Sequence, residues 1–176
     1  MKKHLSILLI ISFALIIFIF FYLLIVEHNP SEIPSALINK KIPNFNSPSL
    51  LEKKYFLSKD EFGNETIIVN FFASWCLPCK AEHRYLKNFS ENGLKIIGIN
   101  YKDDPKKAIK WLGELGNPYA NVAIDSNGLI AIDWGVYGIP ETFIVNANNI
   151  IQYRHVGPIT KKVYNDIFLK IVENNK

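Results

Sequence analysis

Two cysteines, separated by Leu77 and Pro78, stand at positions 76 and 79 of the stretch N-F-F-A-S-W-C-L-P-C-K-A-E-H, and they are the only two in 176 residues. A thiol pair at this spacing supports two-step sulfur exchange. One sulfur attacks a disulfide, and the second, one helical turn away, displaces the captured partner. Other chemistries fit less well. A purely structural bridge would close a tiny loop and constrain the unfolded chain little. Covalent haem attachment needs Cys-x-x-Cys-His, and residue 80 is lysine. A copper(I) site built from Cys76, Cys79 and His83 suits soft thiolate ligands and stays open as an alternative.

Exchange requires Cys76 at a helix start, where backbone N–H groups and the helix dipole favour a thiolate. The sequence supplies such a place. Thr66 to Ala73 is apolar and rich in β-formers, as for a strand buried on both faces. Cys79 to about Ser90 has helical spacing, with Asn92-Gly93 as a stop. Pro78 suits the first turn of that helix. Leu94 to Tyr101 reads as a second buried strand. Asp104-Pro105 opens a further helix with Ala108, Ile109, Trp111, Leu112 and Leu115 as its apolar face before Gly116. Asn121 to Asp125 is a short strand, and Glu141–Val145 with Ile150–Val156 form a hairpin around 146–149. Thr160 to about Glu173 closes the chain as an amphipathic helix presenting Val163, Ile167, Phe168 and Ile171. This order implies an α/β fold in which helices flank a mixed central sheet.

The length fits one domain, and 49% hydrophobic with 20% charged residues describes a folding chain. A net charge of +4, with lysines interspersed among acids, forms no basic stripe. Nucleic acid is therefore not an expected partner.

Residues 1–4 (Met-Lys-Lys-His) precede an uncharged apolar run over 5–26. A helix of that length spans the ~30 Å hydrocarbon core of a bilayer. The run is longer than the apolar segment of a cleavable signal, so we read it as an uncleaved transmembrane signal anchor. The positive-inside rule leaves residues 1–4 in the cytoplasm and sends the remainder across, into an oxidising compartment where an accessible thiol pair needs a reductant to stay reduced. Pro-punctuated residues 27–41 read as a tether, and residues 42–176 as the folded domain.

Trp75-Cys76-Leu77-Pro78-Cys79 after a buried strand resembles the thioredoxin superfamily. G-I-N-Y-K-D-D-P (98–105), D-W-G-V-Y-G-I-P-E-T-F (133–143), Y-R-H-V-G-P (153–158) and S-A-L-I-N-K (35–40) narrow the resemblance. Together they are similar to the CcmG/DsbE family, the membrane-anchored, thioredoxin-like thiol:disulfide interchange proteins of cytochrome c biogenesis. The resemblance implies a thioredoxin-like domain in the bacterial periplasm, held to the inner membrane by one helix. It implies reduction of the haem-attachment cysteine pair of apocytochrome c, or of a cytochrome c maturation thiol protein that handles it. It also implies a membrane electron donor of the DsbD/CcdA type, with no metal or organic cofactor. A broader envelope reductase of the TlpA or ResA kind is the alternative within the same chemistry.

Carried over by position, Cys76 is the attacking and Cys79 the resolving thiol, and the pair forms the redox-active disulfide. Ile139-Pro140 matches the superfamily's cis-proline position beside it. Trp75, Pro78, Ile139, Pro140 and Glu141 are expected to shape the substrate groove, although Trp75 would equally suit packing beside the pair. Glu82, three residues after Cys79 on one helix face, is a candidate proton relay, and Glu141 a candidate source of local acidity. Solvated surface carboxylates are the alternative for both. Asn70 stands where thioredoxins carry a buried, proton-transferring aspartate. An amide cannot titrate, which shifts that task toward Glu82 or water. His83, Trp111 and Trp134 read mainly as packing residues.

Overall fold

The computed structural model describes residues 2–25, 36–52, 54–58, 62 and 65–174. It contains two compact units, 1–32 and 33–176. The first contributes helix α1 (Lys2–Ile25). Its window Ser6–Leu23 is long and apolar enough to cross a membrane, and none of it is buried against protein. Such a helix fits a membrane anchor or a signal. The Ser12 hydroxyl donates to the Leu9 carbonyl at 2.9 Å, which satisfies a polar group that lipid would not.

In the second unit, strands β3 (Ile67–Phe72), β4 (Ile96–Tyr101), β5 (Asn121–Asp125), β6 (Glu141–Val145) and β7 (Ile151–Val156) form one sheet in the order β5-β4-β3-β6-β7. The pairs β3·β4 and β4·β5 are parallel, whereas β3·β6 and β6·β7 are antiparallel. This is the mixed sheet of a thioredoxin-like fold. A separate two-stranded piece, β1 (Asn46–Pro48) with β2 (Tyr55–Leu57), had no strand-like run in the sequence.

The sheet divides the core because successive strand residues face opposite ways. Ile68, Phe72, Ile96 and Ile144 pack on one face with Cys79, Leu86 and Phe89 of helix α2 (Leu77–Glu91), Trp111 and Leu112 of α3 (Pro105–Leu115), and Ile167 and Ile171 of α5 (Lys161–Asn174). Ile67, Val69, Phe71, Phe143 and Val145 pack on the other with Phe56, Phe62, Trp134 and the short helix α4 (Leu129–Asp133). Asn70 and Thr142, cross-strand partners in β3 and β6, therefore share the α2 face with Ile68 and Phe72.

Several expectations move. The stop at Asn92-Gly93 holds, with Gly93 at φ +80°, but α2 begins at Leu77 because Cys76 caps it. Asp104 caps α3 by accepting from the Lys106 amide at 2.8 Å. Ile109, expected on that helix's apolar face, is exposed instead. It follows buried Ala108 by one residue, about 100° around the helix. The end of the expected tether is hydrogen-bonded to the sheet. The Asn39 amide donates to the Ile151 carbonyl and the Ile151 amide to the Lys40 carbonyl, so 39–41 lie antiparallel beside the start of β7. Residues 27–35 of the expected tether and the Phe168 side chain lie outside the described set.

Candidate active site

Strand β3 is buried along its whole length and ends in a tight turn that delivers Cys76 to the start of α2. Cys76 adopts extended backbone as the N-cap, and its Sγ accepts from the Cys79 amide at 3.1 Å. A sulfur that accepts from a free first-turn amide of a helix is one that the helix stabilises as an anion. Pro78 costs nothing here, since first-turn amides have no intrahelical partner. The cysteines form a disulfide. Both cysteines are buried, Cys76 at 4% exposure and Cys79 at 1%.

The residues on either side of Cys76 are apolar and exposed. Trp75 and Leu77 are exposed to 59% and 78%, and Tyr137 to 61%. The Trp75 indole nitrogen donates to the Lys102 carbonyl at 3.2 Å. Ile139 packs against the cluster that contains the disulfide, and the Ile139–Pro140 bond is cis. The Pro140 carbonyl accepts from Gly157 at 3.0 Å, which holds the loop to the end of β7.

Neither candidate carboxylate is at the surface. Glu82 is 0% exposed. Its Oε1 accepts from Asn70 Nδ2 at 2.9 Å and its Oε2 from the Ile159 amide at 2.8 Å. Burial raises its pKa to about 7 against the lowering effect of those two donors. Glu82 therefore exchanges a proton near neutrality, on the helix face that carries Cys79. Asn70 does not titrate but orients: Tyr119, kept protonated by burial and by the charge of Glu82, donates to Asn70 Oδ1 at 2.9 Å. That bond turns the amide nitrogen toward Glu82 and toward Thr142 Oγ1 at 3.0 Å.

Glu141 is equally buried but committed. Its Oε2 accepts from Arg154 Nε at 2.7 Å and its Oε1 from the Tyr137 amide at 3.2 Å. Arg154 also donates to the Gly135 carbonyl and lies over the Tyr137 ring. Glu141 thus ties the 135–137 loop to β7 through a charge-assisted bond. His83 packs edge-on against Trp111, and its Nε2 is bonded to the Gly116 carbonyl at 2.7 Å. Burial lowers its pKa, so the ring is held neutral in a structural contact. No group of three or more metal-ligating side chains occurs among the described residues.

Sequence reasoning missed Asp103, Tyr119, Thr142 and Arg154. Asp103 was readable in part: the parallel pairing Phe72↔Asn100 brings the loops after β3 and β4 side by side, the place where open α/β sheets put ligands.

A Redoxin family model matches residues 37–167. The thiol:disulfide interchange protein DsbE of Vibrio cholerae is 41% identical over 145 residues, 82% of this chain and 79% of that one. The protein of the same name from Escherichia coli K12 is 44% identical over 139 residues, 78% and 75%. The chain belongs to the DsbE family. It is a thiol-disulfide oxidoreductase, and the Cys76–Cys79 disulfide is its redox pair in form. Among solved structures, a secreted thiol-disulfide isomerase from Corynebacterium glutamicum superposes with a TM-score of 0.68 at 22% identity, covering 84% of this chain and 96% of that one. A DsbF homologue from Corynebacterium diphtheriae gives 0.67 at 17% identity, with coverage of 84% and 96%. At these identities both speak to the fold.

Proposed function

We propose that this DsbE-family protein is a reductase whose substrate is the haem-attachment Cys-x-x-Cys-His disulfide of an apocytochrome c, or a thiol protein that handles it during cytochrome c maturation. The observation that carries the reading is the capping geometry, with Cys76 Sγ accepting from the free first-turn amide of Cys79 while Glu82, three residues after Cys79 on α2, is buried. In the reduced protein the Cys76 thiolate attacks one sulfur of the substrate disulfide. A mixed disulfide forms and the first substrate thiolate leaves. Glu82 takes the Cys79 proton, and the resulting thiolate attacks Cys76 Sγ. The second substrate thiolate departs, so two electrons have passed to the substrate and the Cys76–Cys79 disulfide remains. Trp75, Pro78, Ile139 and Pro140 line the groove in which an extended substrate lies. Glu141 supports that groove through Arg154 rather than as a free acid.

In this reading α1 is a single-pass anchor in the bacterial inner membrane, residues 1–4 are cytoplasmic, and the folded unit faces the periplasm. A membrane donor of the DsbD/CcdA type regenerates the dithiol. The length and apolarity of α1 support the anchor, and Lys2 and Lys3 support its orientation.

The test is trapping. With Cys79→Ser the mixed disulfide on Cys76 cannot resolve, and an apocytochrome c or its handling protein should be recovered on it. Recovery of unrelated envelope proteins alone would replace this reading with a broad TlpA/ResA-like reductase. Stoichiometric copper(I) binding by the reduced protein, lost in His83→Ala, would replace it with a copper chaperone.

A further inference from the structure

We propose that Asp103 is a positioning residue for substrate binding: its carboxylate fixes the Ser74–Trp75 wall of the groove, and so sets how an extended, disulfide-bearing polypeptide lies against Cys76. The proposal rests on the reading of Cys76 as the attacking thiol.

Four donors converge on this one side chain. Oδ2 accepts from the Ser74 amide at 2.6 Å and from Asn100 Nδ2 at 3.0 Å. Oδ1 accepts from the Ser74 hydroxyl at 2.8 Å and from the Asp104 amide at 2.8 Å. Bonds to an ionised acceptor are the stronger kind, and a carboxylate, with about four acceptor positions, is the side chain able to take all four. The same loop grips the next residue too, through Trp75 Nε1 and the Lys102 carbonyl. The loop itself is anchored, since Lys102 sits at φ +44° with its amide on the Asp125 carbonyl at 2.9 Å.

Trp75 needs this hold. It is 59% exposed, and its neighbour Ser74 is tied to Asp103 by backbone and hydroxyl together. The cysteine is secured separately: the Cys76 amide bonds the Ala73 carbonyl, and Cys76 belongs to the core cluster behind it. Loosening the clamp therefore loosens the wall and leaves the sulfur in place. The effect belongs on binding rather than on exchange chemistry.

Asp103→Asn tests this with little change of shape. Whichever way the amide turns, its NH2 faces a backbone donor, either Ser74 or Asp104. The experiment uses the reduced full-length chain in detergent micelles and a synthetic peptide closed by an intramolecular Cys-x-x-Cys-His disulfide. In Asp103→Asn the half-saturating peptide concentration should rise ~10-fold, the equivalent of one net charged hydrogen bond, while the limiting rate stays within ~2-fold. Ser74→Ala, which removes the hydroxyl bond alone, should raise it ~3-fold; it decides the matter by the same measure if Asp103→Asn does not fold. Unchanged half-saturation, or a fall in the limiting rate instead, overturns the clamp. Oxidised glutathione serves as a separate probe of attack. If it reacts with the wild type and not with Cys76→Ser, the attacking thiol stands whatever the clamp does. If it fails with the wild type, the reading of Cys76 falls and takes the proposal with it.

Discussion

Replacing Glu82 with glutamine should make the stability difference between variant and wild type depend strongly on pH. Burial raises the Glu82 pKa from 4.5 to about 7. An unfolded chain gives up this proton near 4.5, so between that pH and 7 the folded protein binds more protons than the unfolded one. Stability from this group is thus fully present in acid and lost as pH rises through the window. At ~1.4 kcal/mol per pH unit the loss amounts to roughly 3 kcal/mol above pH 7. Glutamine is neutral throughout and escapes that loss, but its NH2 must face the Asn70 amide nitrogen or the Ile159 N–H, which costs about 1–3 kcal/mol. The variant should therefore be the less stable protein near pH 4 and draw level with or pass the wild type by pH 8. Urea unfolding of both oxidised proteins across this range reads the difference directly. The buried histidines 83 and 155 titrate in both proteins and cancel to first order. A difference that stays flat with pH would refute the assignment of Glu82 as the buried group that titrates near neutrality.

The same substitution should slow release of a mixed disulfide from Cys76 by ~100-fold at pH 7, the scale of general-base catalysis. Stopped-flow kinetics should then show the rate recovering only as Cys79 ionises unaided. Gly98→Ala would bring a Cβ to 3.0 Å from Phe72 Cε1 and 3.1 Å from the Tyr119 ring. It should cost about 1–3 kcal/mol and, by displacing the Tyr119 hydroxyl from Asn70, shift the pH response of Glu82. Arg154→Met would leave Glu141 buried with the Tyr137 amide as its remaining hydrogen bond among those described. Thermal or urea unfolding at pH 7 should report a loss of about 3–5 kcal/mol.

Much of this was legible in the sequence because local rules decided it. A largely apolar, β-rich run leading to Trp75-Cys76 announced β3 and the start of α2. Asp104-Pro105 announced α3, and the turn at 146–149 announced the β6–β7 hairpin. The parts that were not legible depend on distance along the chain. Glu82 meets Ile159 across 77 positions and Asn70 meets Thr142 across 72, so no window of sequence could show that the carboxylate is enclosed and held by two protein donors. Glu141 and Arg154 lie thirteen apart on adjacent strands, and only the register between those strands makes them a pair. Helix α4 is five residues long, too short for periodicity to register. Strands β1 and β2 have three residues each, and the first contains Pro48, which weakens any strand signal.

The account stands on the ionisation of Cys76 at the tip of α2. In the reduced Cys79→Ser variant Cys76 is the sole thiol, and its titration can be followed by ultraviolet thiolate absorbance and by the pH dependence of alkylation in the folded protein. The account predicts a midpoint well below the ~8.5 of free cysteine, within the range of roughly 3.5 to 7.5 seen for such sites, with alkylation that proceeds without unfolding. A midpoint at or above the free value, or a thiol that alkylating reagents reach only in denaturant, would contradict it.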